Sequence, residues 1–425
     1  MSRNPALHLV HPLFSISVIC KNEENSIPNL HASLKEYIEL GGEIVIIDTG
    51  STDKTIEVIQ RLGYVCSGKF SDKLRYQEVG SKFIIDLGSE IDIINKEFII
   101  SPNEKFTPEN TKLKVFDFCA ARKYAGSCCK NKWVLSIDCD EVFSALDIKS
   151  INAIIESNEF TQCSFTFRYR DSNGHISSIT SRDKLYNRDF ADWKWLVHEQ
   201  VKPLEGCSQK LANLSEDILA LDHYQHEADH RSNYLLSMCV DVMKDPNDQH
   251  IFWLGRELHN RGYHHSACKL LNRYLKEYPN AWSAERCLAA VYMGDAHMDI
   301  SKQLFEDDTL RKYHEVKALK SYFAGTVYEG TFREPWLRLG YHYVSKSQHD
   351  LGVTFITTAI NIQTLNQNYV NDINYCYGSQ PYMKLYISLY ALGNKVAAHE
   401  VWKKAVSLFP KDGSITDHEL LFVGM

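Results

Sequence analysis

No stretch of this sequence approaches the roughly 18 consecutive apolar residues that a membrane-spanning helix needs. Its first residues, MSRNPALHLVHPLF, lack the sustained apolar core and cleavage site of a secretory signal. Positive charge is not in excess either. The formal net charge of −7 leaves no electrostatic footprint for unspecific binding to nucleic acid or anionic membranes, although a local basic groove is compatible with it. The 12 cysteines show no repeated C-x-x-C spacing and no disulfide framework. The adjacent Cys128 and Cys129, and the others set in apolar stretches, read as reduced, buried thiols, so a cytoplasmic protein is expected. What is present is the composition of a globular chain, 44% hydrophobic and 24% charged. Its 425 residues exceed one ordinary core, so two domains are expected.

The first half alternates strand-like and helix-like segments. FSISVIC (14–20) and EIVIIDTGS (43–51) read as buried strands. NSIPNLHASLKEYIEL (25–40) and TDKTIEVIQRLG (52–63) read as helices, the second capped by Thr52 or Asp53 and stopped by Gly63. Such alternation predicts parallel pairing in an α/β sheet, whose ligands bind outside the carboxyl ends of the strands. Those ends carry KNEE, DTGSTD and DCDE, so all three polar clusters are expected to face one crevice. Residues 70–112 read as a β-rich insertion, and helical spacing resumes over 115–129.

The most informative stretch is WVLSIDCDE (133–141), an apolar run ending in Asp138, Asp140 and Glu141. At a strand terminus the chain bends, and both side chains of D-x-D can turn toward one point. Carboxylates suit Mg²⁺ or Mn²⁺, which commonly bridge acids to substrate phosphates. A lone D-x-D is also what a solvated loop supplies; its place on the ligand side of the sheet favours the metal.

SVICKNEE, EIVIIDTGSTDKT, WVLSIDCDE and WKWLVHEQV (193–201), in this order within residues 14–225, resemble family 2 glycosyltransferases of the GT-A fold. The resemblance implies a Rossmann-like α/β domain that binds a nucleotide-diphosphate sugar, a UDP-sugar first of all, and usually inverts the anomeric centre. It implies that Cys20, Asn22, Glu23 and Asp48, with Ser51 beside them, meet the base and ribose. Asp138 would lie near the ribose and metal, Asp140 would ligate the metal, and Arg122 would lie near the donor. Two departures from the family pattern are Lys123 after Arg122, where Asn is common, and Cys139 between the two acids. The insertion at 70–112 is also longer than usual.

The chemistry of the residues adds several roles. His198 is suited to be a third metal ligand, or else a satisfied core histidine. An inverting transfer needs one base, for which Glu199 is the candidate and Asp183 and Asp192 are competitors. Arg182 and Arg188, in SRDKLYNRD (181–189), either clamp the diphosphate or line a solvated hairpin. Asp53 serves equally as a helix cap or a ligand. LDHYQHEADHRSNY (221–234), rich in His and Asp, reads as a polar connector after a strand.

From about residue 245 a helical repeat takes over. Leu254-Gly255, Leu339-Gly340 and Leu385-Tyr386 occupy one position. Thirteen residues after each leucine stand Ala267, Gly352 and Ala398, and four further on come Leu271, Ile356 and Trp402. Small residues where helices cross, with large ones beside them, resemble the tetratricopeptide pattern. About four helical pairs are expected, one of them divergent over 282–330 with an insertion. The expected domains are therefore 1–235, the GT-A domain, and 245–425, an all-α tetratricopeptide-like domain.

LGRELHNRG (254–262) and the upstream VHEQ also resemble bacterial transferases that place a sugar on a peptide cysteine, and relatives with such tails act on glycans. A polypeptide or glycan acceptor, held in the groove of the repeats, is the resulting expectation; oligomerisation is left open. Arg256, Glu257 and His259 are expected to tie the two domains together. Two other readings compete with the metal-dependent transferase. One is a degenerate transferase fold that acts as a binding module; the other is glycosylation of a hydroxymethylated nucleic-acid base, which the acidic balance disfavours.

Overall fold

The computed structural model describes residues 10–64, 70, 76–80, 112–171, 173–224, 234–363 and 373–422. The chain divides into two compact units, Met1–Asp241 and Val242–Met425.

The first unit is built on a mixed sheet. Strand β1 (Phe14–Cys20) pairs in parallel with β2 (Glu43–Asp48) on one side and with β5 (Trp133–Asp138) on the other. The order continues through β8 (Ile176–Asn187), β7 (Gln162–Arg170), β12 (Leu219–Tyr224) and β6 (Glu141–Leu146), with β11 (Leu211–Asn213) beside β7. Strand β8 runs antiparallel to both neighbours, with parallel pairing of β2, β1 and β5 on one side of it and of β7 with β12 and β11 on the other.

Both faces are buried, which is why these strands read as nearly continuous apolar runs. Period-two alternation then sorts them. Phe14, Ile16 and Val18 of β1 and Trp133, Leu135 and Ile137 of β5 share one core with Ile27, Leu30 and Ile151. Ile19, Val45, Ile47 and Val134 share the opposite core with Ala121 and Ala125 of the helix Phe118–Ser127.

Local details depart from expectation in three places. The helix over 25–40 is two, α1 (Ile27–Ser33) and α2 (Lys35–Glu39), broken at Leu34. The next helix, α3 (Thr55–Arg61), starts later than the sequence suggested, with Lys54 rather than Thr52 or Asp53 at its N-cap, although it does stop at Gly63, where φ is +81°. Val115 lies in a strand rather than a helix, because β4 (Lys112–Phe116) pairs antiparallel with β3 (Tyr76–Gly80). The helix that follows, α4 (Phe118–Ser127), begins after Asp117, whose carboxylate caps it by accepting the Ala120 N–H at 2.8 Å. The remainder of the 70–112 insertion, apart from Phe70, lies outside the described residues.

The second unit is all helical. Four antiparallel pairs follow one another: α5 (Asp248–Asn260) with α6 (His264–Glu277), α7 (Ser283–Gln303) with α8 (Asp308–Tyr328), α9 (Arg333–Ser345) with α10 (His349–Asn361), and α11 (Gln380–Ala391) with α12 (Lys395–Leu408). The repeat positions explain the packing. A Cβ built on Gly255 would stand 2.7 Å from Leu271, and one on Gly340 would stand 2.5 Å from Ile356. Leucine and isoleucine four residues after the small position thus fill the notch the glycine leaves. The divergent pair has no separate insertion; each of its helices simply extends to 21 residues, with Gly294 lying against Tyr322. Among the described residues, no helix is long and apolar enough to cross a membrane, and every cysteine is free.

Replacing Gly340 by Ala puts the new methyl against Ile356 Cγ1 and 3.2 Å from the Ile356 backbone nitrogen. Overpacking of this kind costs about 1–3 kcal/mol, so Gly340→Ala is expected to lower the urea midpoint of the helical unit. An unchanged midpoint would mean that the pair is not closely packed there.

Candidate active site

The parallel register sets Cys20 beside Asp48 and Ile19 beside Asp138, so three strands end side by side. The loops that follow β1 and β2 are braced into one platform. Asp48 accepts the backbone N–H of Gly50 at 3.0 Å and of Ser51 at 3.1 Å. Ser51 Oγ accepts the Asn22 N–H at 2.9 Å, and Asn22 Oδ1 accepts the Thr52 N–H at 2.8 Å. The Glu23 N–H donates to Thr55 Oγ1 at 2.7 Å, and Glu24 Oε2 accepts the Lys54 N–H at 2.9 Å. The crossing requires left-handed backbone at Asn22, with φ +59°, and at Gly50, with φ +113°. Asp53 serves this brace, accepting from Thr55 N–H at 3.0 Å and Glu24 N–H at 3.3 Å. Cys20 sits beneath the platform: it is 4% exposed, its thiol donates to the Ile47 carbonyl and its carbonyl accepts from Thr49. Its side chain packs in the core, because the strand's alternation turns it there.

At the end of β5 the acids divide. Asp138 Oδ1 accepts from Arg122 Nη2 at 2.8 Å, and Asp138 Oδ2 from Lys184 Nζ at 3.3 Å. Lys184 also donates to Glu141 Oε1 at 2.8 Å, and Glu141 Oε2 accepts the Asp138 N–H at 3.1 Å. Arg122 turns its Nε to Glu199 Oε1 at 2.5 Å and lies 5.0 Å from the Trp193 ring centre. Its Nη1 is buried with no hydrogen-bond partner. Asp140 points away from this network, toward His223, with Oδ1 3.5 Å from Nδ1.

The charges are strongly interdependent. Burial works against the Asp138 carboxylate, but Arg122 and then Lys184 hold its pKa well below the usual range. Burial raises the Glu141 pKa, with Lys184 pulling the other way and Asp138 adding to the rise. Burial opposes the charge on Lys184, which Asp138 and Glu141 nevertheless keep protonated. Burial disfavours the His223 cation too, and its contact with Asp140 outweighs that and raises its pKa.

His198 and Glu199 lie between β9 (Ala191–Lys194) and β10 (Gln200–Pro203). The loop is strained, with φ +72° at Trp195 and +50° at His198. Asp241 anchors it by accepting the N–H groups of Leu196 at 3.0 Å and Val197 at 3.1 Å. Arg182 donates to the Tyr169 hydroxyl at 2.5 Å and lies 5.3 Å from the Phe167 ring centre. Arg188, by contrast, donates its Nη2 to the carbonyls of Cys129 and Asn131, at 2.9 and 2.8 Å. Of the competing bases, Asp192 pairs with Lys123 at 3.3 Å, and the Asp183 carbonyl accepts from Gln162 at 3.2 Å.

Residues 15–71 match the model of the family described as Glycosyl transferase family 2. The matched stretch contains β2 and α3 of the first unit. A comparison with curated proteins finds no match. Among solved structures, the chain is similar to S. aureus TarS 1–349 in complex with UDP, at 15% identity over 75% of this chain and 92% of that one, with a TM-score of 0.31. It is also similar to TTC0263, a thermophilic TPR protein of Thermus thermophilus, at 15% identity over 43% of this chain and 86% of that one, with a TM-score of 0.33. MamA from Desulfovibrio magneticus RS-1 shares 16% identity over 42% of this chain and 85% of that one, with a TM-score of 0.31.

Sequence reasoning missed Lys184, His223 and Asp241. Lys184 was findable, since it stands two residues from Arg182 and shares its face of a strand. His223 lies in the polar stretch 221–234, where no local pattern marks it out. Its first residues belong to β12, where His223 pairs with Glu141, while 225–233 lie outside the described residues. Asp138, Asp140 and His198 do not form a ligand group. Among the described residues the one set of three metal-competent side chains within 4.8 Å is His259, His264 and Asp299. The reason is that Asp138 is turned inward to its two cations. Asp140 and His223 do fit a divalent ion, offering a carboxylate and an imidazole whose buried Nδ1 has no hydrogen-bond partner.

Removing the guanidinium leaves two carboxylates without their shared cation. Breaking a buried pair costs about 3–5 kcal/mol, and Asp138, with 34% of its side chain exposed, moves the expectation to the lower end. Arg122→Met should therefore lower the equilibrium unfolding stability of the first unit markedly, and Arg122→Lys should recover only part of it. A wild-type denaturation curve for Arg122→Met would show that the fork carries no structural load.

Proposed function

We propose that this protein is a metal-dependent, inverting glycosyltransferase that takes a sugar from a nucleotide-diphosphate donor, a UDP-sugar, and passes it to a polypeptide or glycan. One observation carries the reading: the three adjoining parallel strand ends gather a braced polar platform and a D-x-D pair, with buried Arg122 and half-buried Lys184 and Arg182 beside them.

The geometry is compatible with one division of roles. Asn22, Glu23, Asp48 and Ser51 shape the surface on which the base and ribose lie. Asp138, neutralised by Arg122 and Lys184, positions these two cations beside the donor. Arg182, whose described partner is a neutral phenol, has charge to offer a diphosphate. Asp140 with His223 would hold Mn²⁺ or Mg²⁺. When bound, such an ion neutralises charge on the departing nucleoside diphosphate. Glu199 is the base: Arg122 occupies Oε1 and orients the carboxylate, and the second oxygen takes the acceptor's proton. The new bond forms at the anomeric carbon as its bond to the diphosphate oxygen breaks, which inverts the centre.

Calorimetry with UDP-, GDP-, CDP- and dTDP-sugars, with and without Mn²⁺, tests the donor. One sugar nucleotide should bind only with Mn²⁺, and Asp140→Ala should abolish that binding. Silence from all four on folded protein would end the reading. Glu199→Gln keeps an acceptor for Arg122 but removes the base. It should retain donor binding while kcat falls by about 10²–10⁴-fold; an unchanged kcat would move the base elsewhere.

A further inference from the structure

The second unit holds a group of side chains that the transferase chemistry does not use. His259 lies in the last turn of α5 and His264 opens α6. The turn between them is closed by Gly262, in left-handed backbone at φ +82°. That turn brings two histidines five positions apart onto neighbouring helices, with ring centres 5.4 Å apart. Asp299 comes from α7, which packs against α6. Ligand-competent atoms of the three all lie within 4.8 Å of one another.

Their bonding is incomplete. Nδ1 of His259 and Nδ1 of His264 are both buried and have no hydrogen-bond partner. His264 Nε2 stands 3.9 Å from Asp299 Oδ2, too far for a hydrogen bond. Lys302 takes only the other oxygen, Oδ1, at 2.8 Å. Buried polar atoms are almost always satisfied, and an exception calls for a missing water or ion. Nearby, Arg256 lies over the Trp253 ring and Glu257 pairs with Arg261. His259 faces His264 and Tyr292.

We infer that His259, His264 and Asp299 form a binding site for a divalent transition-metal ion of the zinc type, which clips three successive helices of the repeat. Two imidazoles and one carboxylate are a donor set that such ions accept, with a fourth position left to water. Ligands about 2.0–2.2 Å from a tetrahedral ion stand roughly 3.4 Å from each other, so small side-chain rotations close this group on an ion. The site differs in place and donors from the one proposed around Asp140, and it stands whether or not that proposal does.

The test uses the full-length chain, stripped of metal and titrated with Zn²⁺ alone against a chromophoric chelator. Asp140→Ala serves as the background, so that any ion held by that residue does not count. One tight equivalent should bind, and a 100-fold excess over Kd should raise the melting temperature by roughly 5–10 °C. His264→Ala and Asp299→Asn, each in that background, should weaken binding by more than about 100-fold, the upper end of what losing an outer-shell partner costs. Co²⁺ in the background protein should show visible d–d absorption, which needs no variant at the site itself. Absence of Zn²⁺ uptake and of the Co²⁺ bands would overturn the inference, as would unchanged affinity in both ligand variants. Water bridging three ordinary polar side chains would then explain the cluster.

Discussion

Arg122 sits where three parts of the first unit meet. Its guanidinium takes Asp138 from the end of β5, Glu199 from the loop after β9 and the face of Trp193, while its own backbone belongs to α4. The partners lie 16 and 77 residues away in the chain. Burying such charges is expensive, and apolar replacements of similar volume are often as stable. What the fork supplies that an apolar cluster would not is a fixed direction for two carboxylates at the open edge of the sheet. Lys184 completes the arrangement by engaging the second oxygen of Asp138 and passing the contact on to Glu141.

This division of charge separates the two aspartates of D-x-D. Asp138 is committed to the protein's own cations, whereas Asp140, on the far side of the turn, is left toward His223. Strain concentrates in the same region. Asn22, Trp195 and His198 all adopt left-handed backbone without being glycine. Residues in such conformations persist where neighbours over-determine them, and here the neighbours are specific: Ser51 and Thr52 for the first loop, Asp241 for the second.

The helical unit rests on a different constraint. Its pairs close because a glycine on one helix admits a branched side chain from the next, at Gly255 with Leu271 and at Gly340 with Ile356. Close approach of this sort sets the helix crossings, whereas the turn at Gly262 needs glycine for its left-handed backbone, at φ +82°. The imidazole and carboxylate groups gathered there are thus a consequence of how the repeat packs.

The sequence by itself determined the two-part architecture, the parallel core strands and the helical repeat, because each is a local pattern. Apolar runs mark strands buried on both faces, and small residues at fixed spacing mark helix crossings. It also pointed to Asn22, Asp48, Arg122, Asp138, Asp140 and Glu199 through their places at strand ends and in motifs. Tertiary structure alone decided what each one touches. Cys20 turns into the core by strand alternation, Arg188 is taken by backbone carbonyls, and Asp138 and Asp140 face different partners. His223 reaches Asp140 only because β12 inserts between β7 and β6, and Asp241 reaches the His198 loop from 44 residues away. Such pairings depend on which strands adjoin and in what register, and no local periodicity encodes that.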